Sequence, residues 1–265
     1  RPFMVDGADH CPRPARVIEL RNKYGDISAW REVTVGTTST LAASPLHSKV
    51  IAFPGALSHA DCRMLMRAAD LQLNAVRQND DGLPAARLRV QVSELRCEKV
   101  QNIFKRLLDE VVFSLLENVV PHVAISCFGS AANLAQMRCE FNSIEPTINV
   151  YNEGGDFAQH QDGQHLTMLV HLSDEDAFTG GGTAYWKESR KSEYLRRGLD
   201  GVPPDIILHP SQGEILFWNG ELVHAGCAVE QGVRHILVGS FSLYPALSTA
   251  VRPTVQRGRR RGDFI

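Results

Sequence analysis

The chain has 265 residues, 43% of them apolar and 22% charged, which is enough to bury a large core. Its formal net charge of −2 excludes the overall positive field that gathers nucleic acids or anionic membrane surfaces. No apolar run is long enough to span a bilayer. The composition therefore predicts a globular protein and argues against both a nucleic-acid partner and a membrane span.

The six cysteines are dispersed and include no Cys-x-x-Cys pair, which argues against a zinc ribbon and a dense disulfide frame. They are Cys11, Cys62, Cys97, Cys127, Cys139 and Cys227. We predict reduced, mostly buried thiols, which favours a reducing compartment. The chain begins at Arg1 and not at methionine, which we interpret as a trimmed start. A targeting segment would then be hidden, so the localisation stays open, as does the oligomeric state.

The first half of the chain predicts an irregular arm followed by two helices. Residues 1–50 mix Pro, Gly, Ser and Thr with short apolar runs, and we assign them only a strand near 31–36. Ser58 is a candidate N-cap with Asp61 three residues later. Apolar residues then recur at helical spacing, which predicts a helix over about 59–75.

A second amphipathic stretch predicts a longer helix over about 93–119, which Pro121 closes. Its apolar stripe consists of Val100, Phe104, Leu107, Val111, Leu115 and Val119. We expect both helices to cover a sheet.

Beyond about residue 137 the period changes from helical to extended. Short runs rich in β-branched and aromatic residues alternate with Gly, Asp, Asn and Pro clusters, which is typical of an all-β sandwich or barrel. They read TINVY, HLTMLVHL, TAYW, DIILH, GEILFWN and RHILVGSFSLY. We predict a mainly β fold with α elaboration: a double-stranded β-helix, or cupin-like jelly roll, over about 137–245, with N-terminal packing helices.

The predicted organisation is one domain over 51–250 between two less regular ends. A charged, lid-like insertion lies at 187–204, where a loop of this length is commonly a lid or a linker. The tail at 251–265 is basic, and we expect it to be a solvated terminus.

The stretch QHQDGQHLTMLVHL contains three histidines and one aspartate. In an extended chain, residues two apart face the same side, so His160 and Asp162 can direct an imidazole and a carboxylate at one point. His165 and His171 have the opposite parity. Gly163 is a position at which this register could break.

Two residues downstream extend this pair into a candidate metal site: His224 follows one apolar strand, and Arg234 begins another. Two histidines and a carboxylate leave coordination positions open, which suits non-haem Fe(II) chemistry. Zinc is the competitor, although a catalytic zinc usually has a general base beside it. A buried arginine needs an anionic partner, and a dicarboxylate cosubstrate provides one while its 2-oxo acid end chelates the metal.

These residues resemble a known family. The pattern His160-x-Asp162, His224 and Arg234, inside a predicted jelly roll preceded by helices, is similar to the Fe(II)- and 2-oxoglutarate-dependent dioxygenase superfamily, in its prolyl and lysyl hydroxylase-like branch. The resemblance covers about 137–245, and HAGCAV and GVRHILVGSF are its most specific segments. LSDEDAFTGGGTAYW resembles a strand and Gly-Gly turn of the family, and FPGALSHADCRMLMRAAD resembles the helix that opens its catalytic domain.

By this resemblance, His160, Asp162 and His224 are the iron ligands, and Arg234 binds the 5-carboxylate of 2-oxoglutarate. The other residues implied in cosubstrate binding are Tyr151, Asn149, Thr167 and His171. Prolyl hydroxylases often have a tyrosine where this chain has His171. Two interpretations of this histidine therefore stay open: a donor to the 5-carboxylate, or a packed core residue.

The resemblance implies Fe(II), with 2-oxoglutarate and O2 as cosubstrates and ascorbate as a reductant for reactivation. The implied reaction oxidises an unactivated C–H bond, by hydroxylation, desaturation or oxidative cyclisation, and releases succinate and CO2. The protein would supply orientation and exclusion of water, so we expect no dedicated acid–base residue. The compact jelly roll, without an obvious peptide-binding repeat, favours a small amino-acid-like metabolite as substrate.

Candidate substrate contacts lie in and before the insertion. Arg196 and Arg197 are either part of a solvated loop or part of a basic lid over an anionic substrate. Trp186 is either a core aromatic residue of the jelly roll or part of the substrate entrance.

Three other functions stay open. A peptidyl prolyl or lysyl hydroxylase would use the same iron site. The stretch NVYNEGGDFAQHQD also resembles the nucleic-acid demethylases of the superfamily, which carry an Arg-x-Asn-x-Thr-x-Arg run on the last strand. This chain has Ile236 and Ser240 at the asparagine and second arginine positions and lacks a basic surface. A non-enzymatic jelly roll would hold metal without producing succinate.

Overall fold

The computed structural model describes residues 4–5, 14–24, 27–35, 48–77, 85–187 and 202–245. Within these ranges the strands are β1 (Met4–Val5), β2 (Arg31–Thr34), β3 (Lys49–Phe53), β4 (Arg87–Gln91), β5 (Arg138–Phe141), β6 (Thr147–Tyr151), β7 (Phe157–His160), β8 (Leu166–His171), β9 (Phe178–Gly180), β10 (Thr183–Trp186), β11 (Ile206–Leu208), β12 (Ile215–Asn219), β13 (Val223–Gly226), β14 (Val229–Gly232) and β15 (Arg234–Tyr244). The α-helices are α1 (Pro14–Tyr24), α2 (His59–Arg77), α3 (Glu98–Arg106), α4 (Phe113–Asn118) and α5 (Pro121–Phe128).

Nine of these strands form a large antiparallel sheet. Seven follow the order β1-β5-β15-β8-β12-β3-β2, and β6 pairs with both β15 and β4. The long strand β15 connects the two halves of this sheet. Its start pairs with β6, through Arg234 opposite Tyr151, and its end pairs with β5, through Phe241 opposite Phe141. Its other edge pairs with β8.

A four-stranded sheet in the order β11-β10-β13-β7 faces the large sheet, while β14 and β9 form a two-stranded ribbon. One buried apolar cluster joins the two sheets: Leu169, Leu216 and Trp218 come from the large sheet, and Tyr185 comes from the small one. The two facing sheets confirm the predicted mainly β, double-stranded β-helix fold. Within the described ranges they do not close into a barrel.

Helices cover the other face of the large sheet. Phe217 and Leu237 alternate with the residues that face the small sheet, because successive side chains of a strand point to opposite faces. They belong to the main core together with Leu65 of α2, Phe104 of α3 and Leu116 of α4. The candidate site therefore lies between the sheets, on the side away from the helices.

The two predicted helices differ in their regularity. The first is α2, and its N-terminus is capped as expected: Asp61 N–H donates to Ser58 Oγ at 3.1 Å, and this hydroxyl donates to the Asp61 carboxylate at 2.8 Å. The second, expected over 93–119, begins at Glu98 and passes through a π-helical segment, Leu107–Val112. This segment is buried on almost all sides, so the apolar pattern does not distinguish a π-turn from an α-turn.

The arm at 1–50 contains a helix, α1, that the sequence analysis did not identify. Among its described side chains, only Leu20 and Tyr24 are buried, which is too few for an apolar stripe to reveal the helix. The Tyr24 hydroxyl donates to Pro54 O at 2.5 Å and fixes α1 beside β3. Strand β2 lies where a strand was expected.

Parts of the predicted organisation lie outside the described residues. These are most of the insertion at 187–204, including Arg196 and Arg197, and the whole tail at 251–265. Where the chain is described, no single helix has the length and apolar character to cross a membrane, and one bent pair, Glu98–Asn118 with Pro121–Phe128, meets these criteria jointly.

Candidate metal centre and its cavity

His160, His224 and Tyr185 lie side by side on the inward face of the small sheet. The register aligns His160 of β7 with His224 of β13, and His224 with Tyr185 of β10. The centroids of the two imidazole rings are 4.2 Å apart. Asp162 follows β7, and its N–H donates to Gly220 O at 2.9 Å, which fixes the loop beside the histidines.

The three side chains converge on one point. His160 Nε2 lies 3.4 Å from Asp162 Oδ1, and His224 Nε2 lies 3.4 Å from Asp162 Oδ2. One nitrogen or oxygen atom from each residue lies within 4.8 Å of the others. It is the one such group of His, Cys, Asp or Glu residues in the described part of the chain. This spacing allows one metal ion to contact all three side chains.

Backbone carbonyls set the orientation of both imidazoles. His160 Nδ1 lies 2.8 Å from Ala158 O, and His224 Nδ1 lies 2.9 Å from Leu222 O. Because a carbonyl oxygen only accepts, each Nδ1 carries the proton and donates it. Each Nε2 then presents a lone pair to the point of convergence, as in histidine ligands of metals.

The protonation states also fit a metal. Burial raises the pKa of Asp162, but His224, His160 and a hydrogen bond from Thr167 outweigh it, so the pKa lies below its usual value. Burial lowers the pKa of His224 more than Asp162 raises it. A carboxylate beside a neutral imidazole is the state that binds a metal ion, since ligands must be deprotonated.

Arg234 is fully buried at the start of β15. Its Nη1 donates to Gly182 O at 2.9 Å and its Nη2 to Thr183 Oγ1 at 3.2 Å, while its Nε is buried with no partner. Among the described residues, no carboxylate forms an ion pair with it. A buried cation without an anion is costly, so this guanidinium suits the carboxylate of a ligand.

A glycine turn makes room for Arg234. The sequence analysis did not predict this role of the turn. Gly181 has φ +67°, and a Cβ at this position would lie 2.9 Å from the Phe178 ring and 3.1 Å from Arg234 Cδ. A larger residue would therefore clash with the Phe178 ring and crowd the Arg234 side chain. The Gly-Gly-Gly run at 180–182 was the available signal.

Tyr151 and His171 flank Arg234 on the inward face of the large sheet. Tyr151 lies opposite Arg234 in the register, with its ring centroid 5.6 Å from Arg234 Cζ. His171 lies opposite Ile236 on β8, so it faces the space between the sheets. Its Nδ1 is buried with no partner. Burial, with Arg234 nearby, lowers the pKa of His171 to about 3, so this imidazole is neutral.

Thr167 and Asn149 already have partners within the protein. Thr167 Oγ1 donates to Asp162 Oδ2 at 2.5 Å, and Asn149 Oδ1 accepts a hydrogen bond from Arg89 Nε at 3.2 Å. Both residues lie near the predicted cosubstrate site, but these bonds give them roles in positioning other side chains.

The converging atoms open into a cavity between the two sheets. Besides the three candidate ligands, the cavity is lined by Arg89, Glu145, Asn149, Tyr151, Phe157, Leu169, Thr183, Trp218, Ala225, Gly226, Ile236 and Val238. The sequence analysis missed the charged pair Arg89 and Glu145, for which the only signal was the alternation of Arg87 and Arg89 in β4.

Two residues singled out from the sequence lie away from this cavity. Trp186 follows the inward-facing Tyr185 and packs on the outer face of the small sheet, where its Nε1 donates to Val202 O at 3.0 Å. The position of Trp186 therefore does not support its predicted contact with a substrate. The His165 ring lies 6.1 Å from that of Phe128, beside the helices.

No protein-family model and no curated protein matches the sequence. Among solved structures, the chain is similar to the viral collagen prolyl hydroxylase vCPH of Paramecium bursaria Chlorella virus-1 in its 2-oxoglutarate complex, at 17% identity over 72% of this chain and 94% of that one, with a TM-score of 0.44. It is also similar to a Pseudomonas putida prolyl-4-hydroxylase, at 14% identity over 86% and 96%, with a TM-score of 0.39.

A third similar structure is HygX of Streptomyces hygroscopicus with nickel and 2-oxoglutarate bound, at 15% identity over 75% of this chain and 83% of that one, with a TM-score of 0.46. An oxidoreductase of the 2OG-Fe(II) oxygenase family from Burkholderia pseudomallei matches at 16% identity. Two of these structures contain 2-oxoglutarate, and the Burkholderia protein is named as a member of the 2OG-Fe(II) oxygenase family.

Proposed function

We propose that this protein is an Fe(II)- and 2-oxoglutarate-dependent oxygenase that oxidises an unactivated C–H bond of a small amino-acid-like metabolite and releases succinate and CO2. One observation carries the proposal: a convergent His160, Asp162 and His224 cluster shares the space between two sheets with Arg234, a buried cation that has no carboxylate partner among the described residues.

The donor set supports Fe(II). Two imidazoles and one carboxylate on one side of a metal leave the other positions open for a chelating cosubstrate and for dioxygen. Bound together, Fe(II) and 2-oxoglutarate supply the oxidising chemistry. Within the chain, Ala158 O and Leu222 O orient the two imidazoles, and Thr167 holds one carboxylate oxygen of Asp162. These bonds fix the ligands before the metal arrives.

Arg234 supports 2-oxoglutarate. A guanidinium binds a carboxylate through two parallel hydrogen bonds, and such charge-assisted bonds are stronger in a buried site. The unpartnered Nδ1 of His171 and hydroxyl of Tyr185 lie on the walls of the same interior and are free to bond a polar ligand. Between the metal cluster and Arg234, Leu169, Ile236 and Val238 provide an apolar wall that excludes water.

The nucleic-acid demethylase alternative is disfavoured by two positions on β15. Ile236 forms part of the apolar cavity wall. Ser240 donates through both its N–H and its hydroxyl to Glu145 at 2.5 Å, so this position serves the cavity wall and offers no cation for a phosphate.

An anaerobic titration tests the proposal. Purified metal-free protein receives Fe(II) and then 2-oxoglutarate, and we expect a weak, saturable visible charge-transfer band from the chelated 2-oxo acid. In Arg234→Ala, the band should require a much higher 2-oxoglutarate concentration. Arg138→Ala removes an arginine from β5, outside the cavity lining, and should leave the titration unchanged. No band, together with tight zinc binding, would overturn the proposal.

A further inference from the structure

Two opposite charges line the candidate cavity beyond the metal cluster. Glu145 lies in the segment just before β6, and Arg89 lies on β4, which pairs with β6. Both side chains line the cavity that holds His160, Asp162 and His224. Neither has a role in holding the metal or in binding the far carboxylate of 2-oxoglutarate near Arg234. Arg89 and Glu145 are therefore available to bind another ligand.

Glu145 is held rigidly by one of its two oxygens. Its Oε2 accepts hydrogen bonds from Ser240 N–H and Ser240 Oγ, both at 2.5 Å. Ser240 lies opposite Thr167 in the register, and Thr167 holds Asp162. The carboxylate is thus fixed relative to the metal cluster. Among the described residues, it forms no ion pair with a cation.

Arg89 is held from one side only. Its Nε donates to Asn149 Oδ1 at 3.2 Å, and its guanidinium carbon lies 5.8 Å from the centroid of the Phe157 ring. The neighbouring Arg87 covers the same ring at 3.4 Å. Phe157 therefore limits the positions that Arg89 can take. Within the described ranges, no carboxylate forms an ion pair with the Arg89 Nη atoms.

The two charges do not neutralise each other directly. Arg89 and Glu145 face one cavity and interact electrostatically, yet they form no ion pair. A ligand with both a cation and an anion would pair with both side chains at once. Such a ligand would recover part of the cost of keeping two charges out of bulk water.

We propose that Arg89 and Glu145 form the substrate subsite and recognise a free α-amino acid, with its α-carboxylate on Arg89 and its α-ammonium on Glu145. This inference rests on the proposed function, in which the substrate lies beside the metal. The amino-acid side chain then extends from this wall toward the three candidate ligands. A residue inside a peptide has neither free charge, so the subsite selects free amino acids over peptidyl substrates.

The test is calorimetric binding without turnover. Each of the twenty proteinogenic L-amino acids is titrated anaerobically into protein loaded with Fe(II) and 2-oxoglutarate, and also into metal-free protein. The amino acid that binds is compared with its N-acetyl and its carboxamide derivatives. We expect each derivative to bind at least tenfold more weakly, because the first removes the ammonium and the second the carboxylate.

Variants assign each charge to its partner. Glu145→Gln keeps an acceptor for Ser240 and should weaken binding of the free amino acid at least tenfold, with no further loss for the N-acetyl derivative. Arg89→Gln should do the same for the carboxamide. The matched controls are Glu140→Gln and Arg138→Gln, which remove a charge pair on β5 outside the cavity lining. They should bind the free amino acid as the wild type does.

Three results would overturn the inference: no free amino acid binds, the derivatives bind as tightly as the parent, or both variants keep wild-type affinity. The visible band of chelated 2-oxoglutarate separates these results from a failure of the proposed function. A band without amino-acid binding removes only the subsite. Amino-acid binding to metal-free protein that never gives a band keeps the subsite and removes the oxygenase.

Discussion

Thr167 Oγ1 donates to Asp162 Oδ2 at 2.5 Å, and this bond joins β8 of the large sheet to the loop that follows β7 of the small sheet. The same carboxylate oxygen lies 3.4 Å from His224 Nε2. The large sheet therefore positions the carboxylate, while the small sheet positions the two histidines that face it.

Replacing Thr167 with valine should weaken metal binding. Valine has the same shape, so packing at this buried position is kept, but Asp162 loses its only side-chain hydroxyl donor among the described residues. Loss of such a supporting hydrogen bond typically lowers metal affinity about 10- to 100-fold. Competition of Fe(II) between the protein and a chromophoric chelator, under anaerobic conditions, measures the change.

The matched control is Thr147→Val. Thr147 is also buried, on β6, but its hydroxyl has no hydrogen-bond partner. Its replacement should leave Fe(II) affinity unchanged. Equal losses in the two valine variants would mean that Thr167 acts through general packing and not through Asp162.

Binding of 2-oxoglutarate should stabilise the Fe(II) protein through Arg234. At about 100 times its Kd, a ligand that binds only the native state adds about 2.7 kcal/mol to the free energy of unfolding. For a chain of this size that corresponds to an increase in Tm of about 5 to 10 °C. Differential scanning fluorimetry should show this increase in the wild type and little of it in Arg234→Ala.

Pyruvate provides the internal control for this prediction. It has the same 2-oxo acid end but lacks the far carboxylate, so it cannot reach Arg234 while chelating the metal. Any stabilisation by pyruvate should therefore be equal in wild type and Arg234→Ala. A variant that loses both effects would have lost the metal site or the fold instead.

The candidate ligands could be predicted from the sequence because each follows a local rule. His160 and Asp162 are two residues apart at the end of a strand, and His224 and Arg234 stand in or at the start of apolar runs. The order of strands brings His160, His224 and Arg234 into one interior, and the loop after β7 brings Asp162 beside the histidines. The jelly roll itself was predictable for the same reason, since its strands are short and separated by turn residues.

The charged wall of the cavity could not be predicted in this way. Arg89 bonds a residue 60 positions away in the chain, and Glu145 bonds one 95 positions away. Such contacts depend on which strands pair and in what register, and the local pattern contains neither. The π-helical turn at Leu107–Val112 was hidden for a different reason, because burial on almost all its sides removes the apolar stripe that marks helical period.

Two tyrosines at the candidate site should respond to the same substitution with opposite signs. The Tyr185 hydroxyl is buried with no partner, whereas the Tyr151 hydroxyl interacts electrostatically with the guanidinium of Arg87. A buried polar group without a partner costs about 1 to 3 kcal/mol. Tyr185→Phe should therefore raise the free energy of unfolding of the ligand-free protein by about 1 kcal/mol, and Tyr151→Phe should lower it by a similar amount.

Urea unfolding of the metal-free protein measures both effects. The comparison is internal, since the two substitutions remove the same atom from neighbouring walls. Destabilisation by Tyr185→Phe would contradict the prediction and would show that its hydroxyl has a partner in solution.

His171 should make the stability of the protein depend on pH in the acid range. Burial first, and then Arg234, lowers the pKa of this imidazole to about 3, whereas a histidine in the unfolded chain titrates near 6.5. As the pH falls below about 6.5, His171 is therefore protonated in the unfolded chain but stays neutral in the native state. Stability is lost in this window, by up to about 1.4 kcal/mol per pH unit for one proton, and nothing is lost above it.

The prediction is tested by urea unfolding of the wild type and of His171→Gln at pH 7.5, 5.5 and 4.5. Other titrating groups cancel in the difference between the two proteins, so the wild type should lose about 1 kcal/mol more than the variant between the last two values. His59→Gln removes an exposed histidine at the start of α2 and serves as the matched control. The prediction is contradicted if the free energies of unfolding of wild type and His171→Gln fall in parallel as the pH is lowered. His171 would then be protonated in the native state as readily as in the unfolded chain. Its imidazole would in that case be hydrogen-bonded to a partner or to water in the native state.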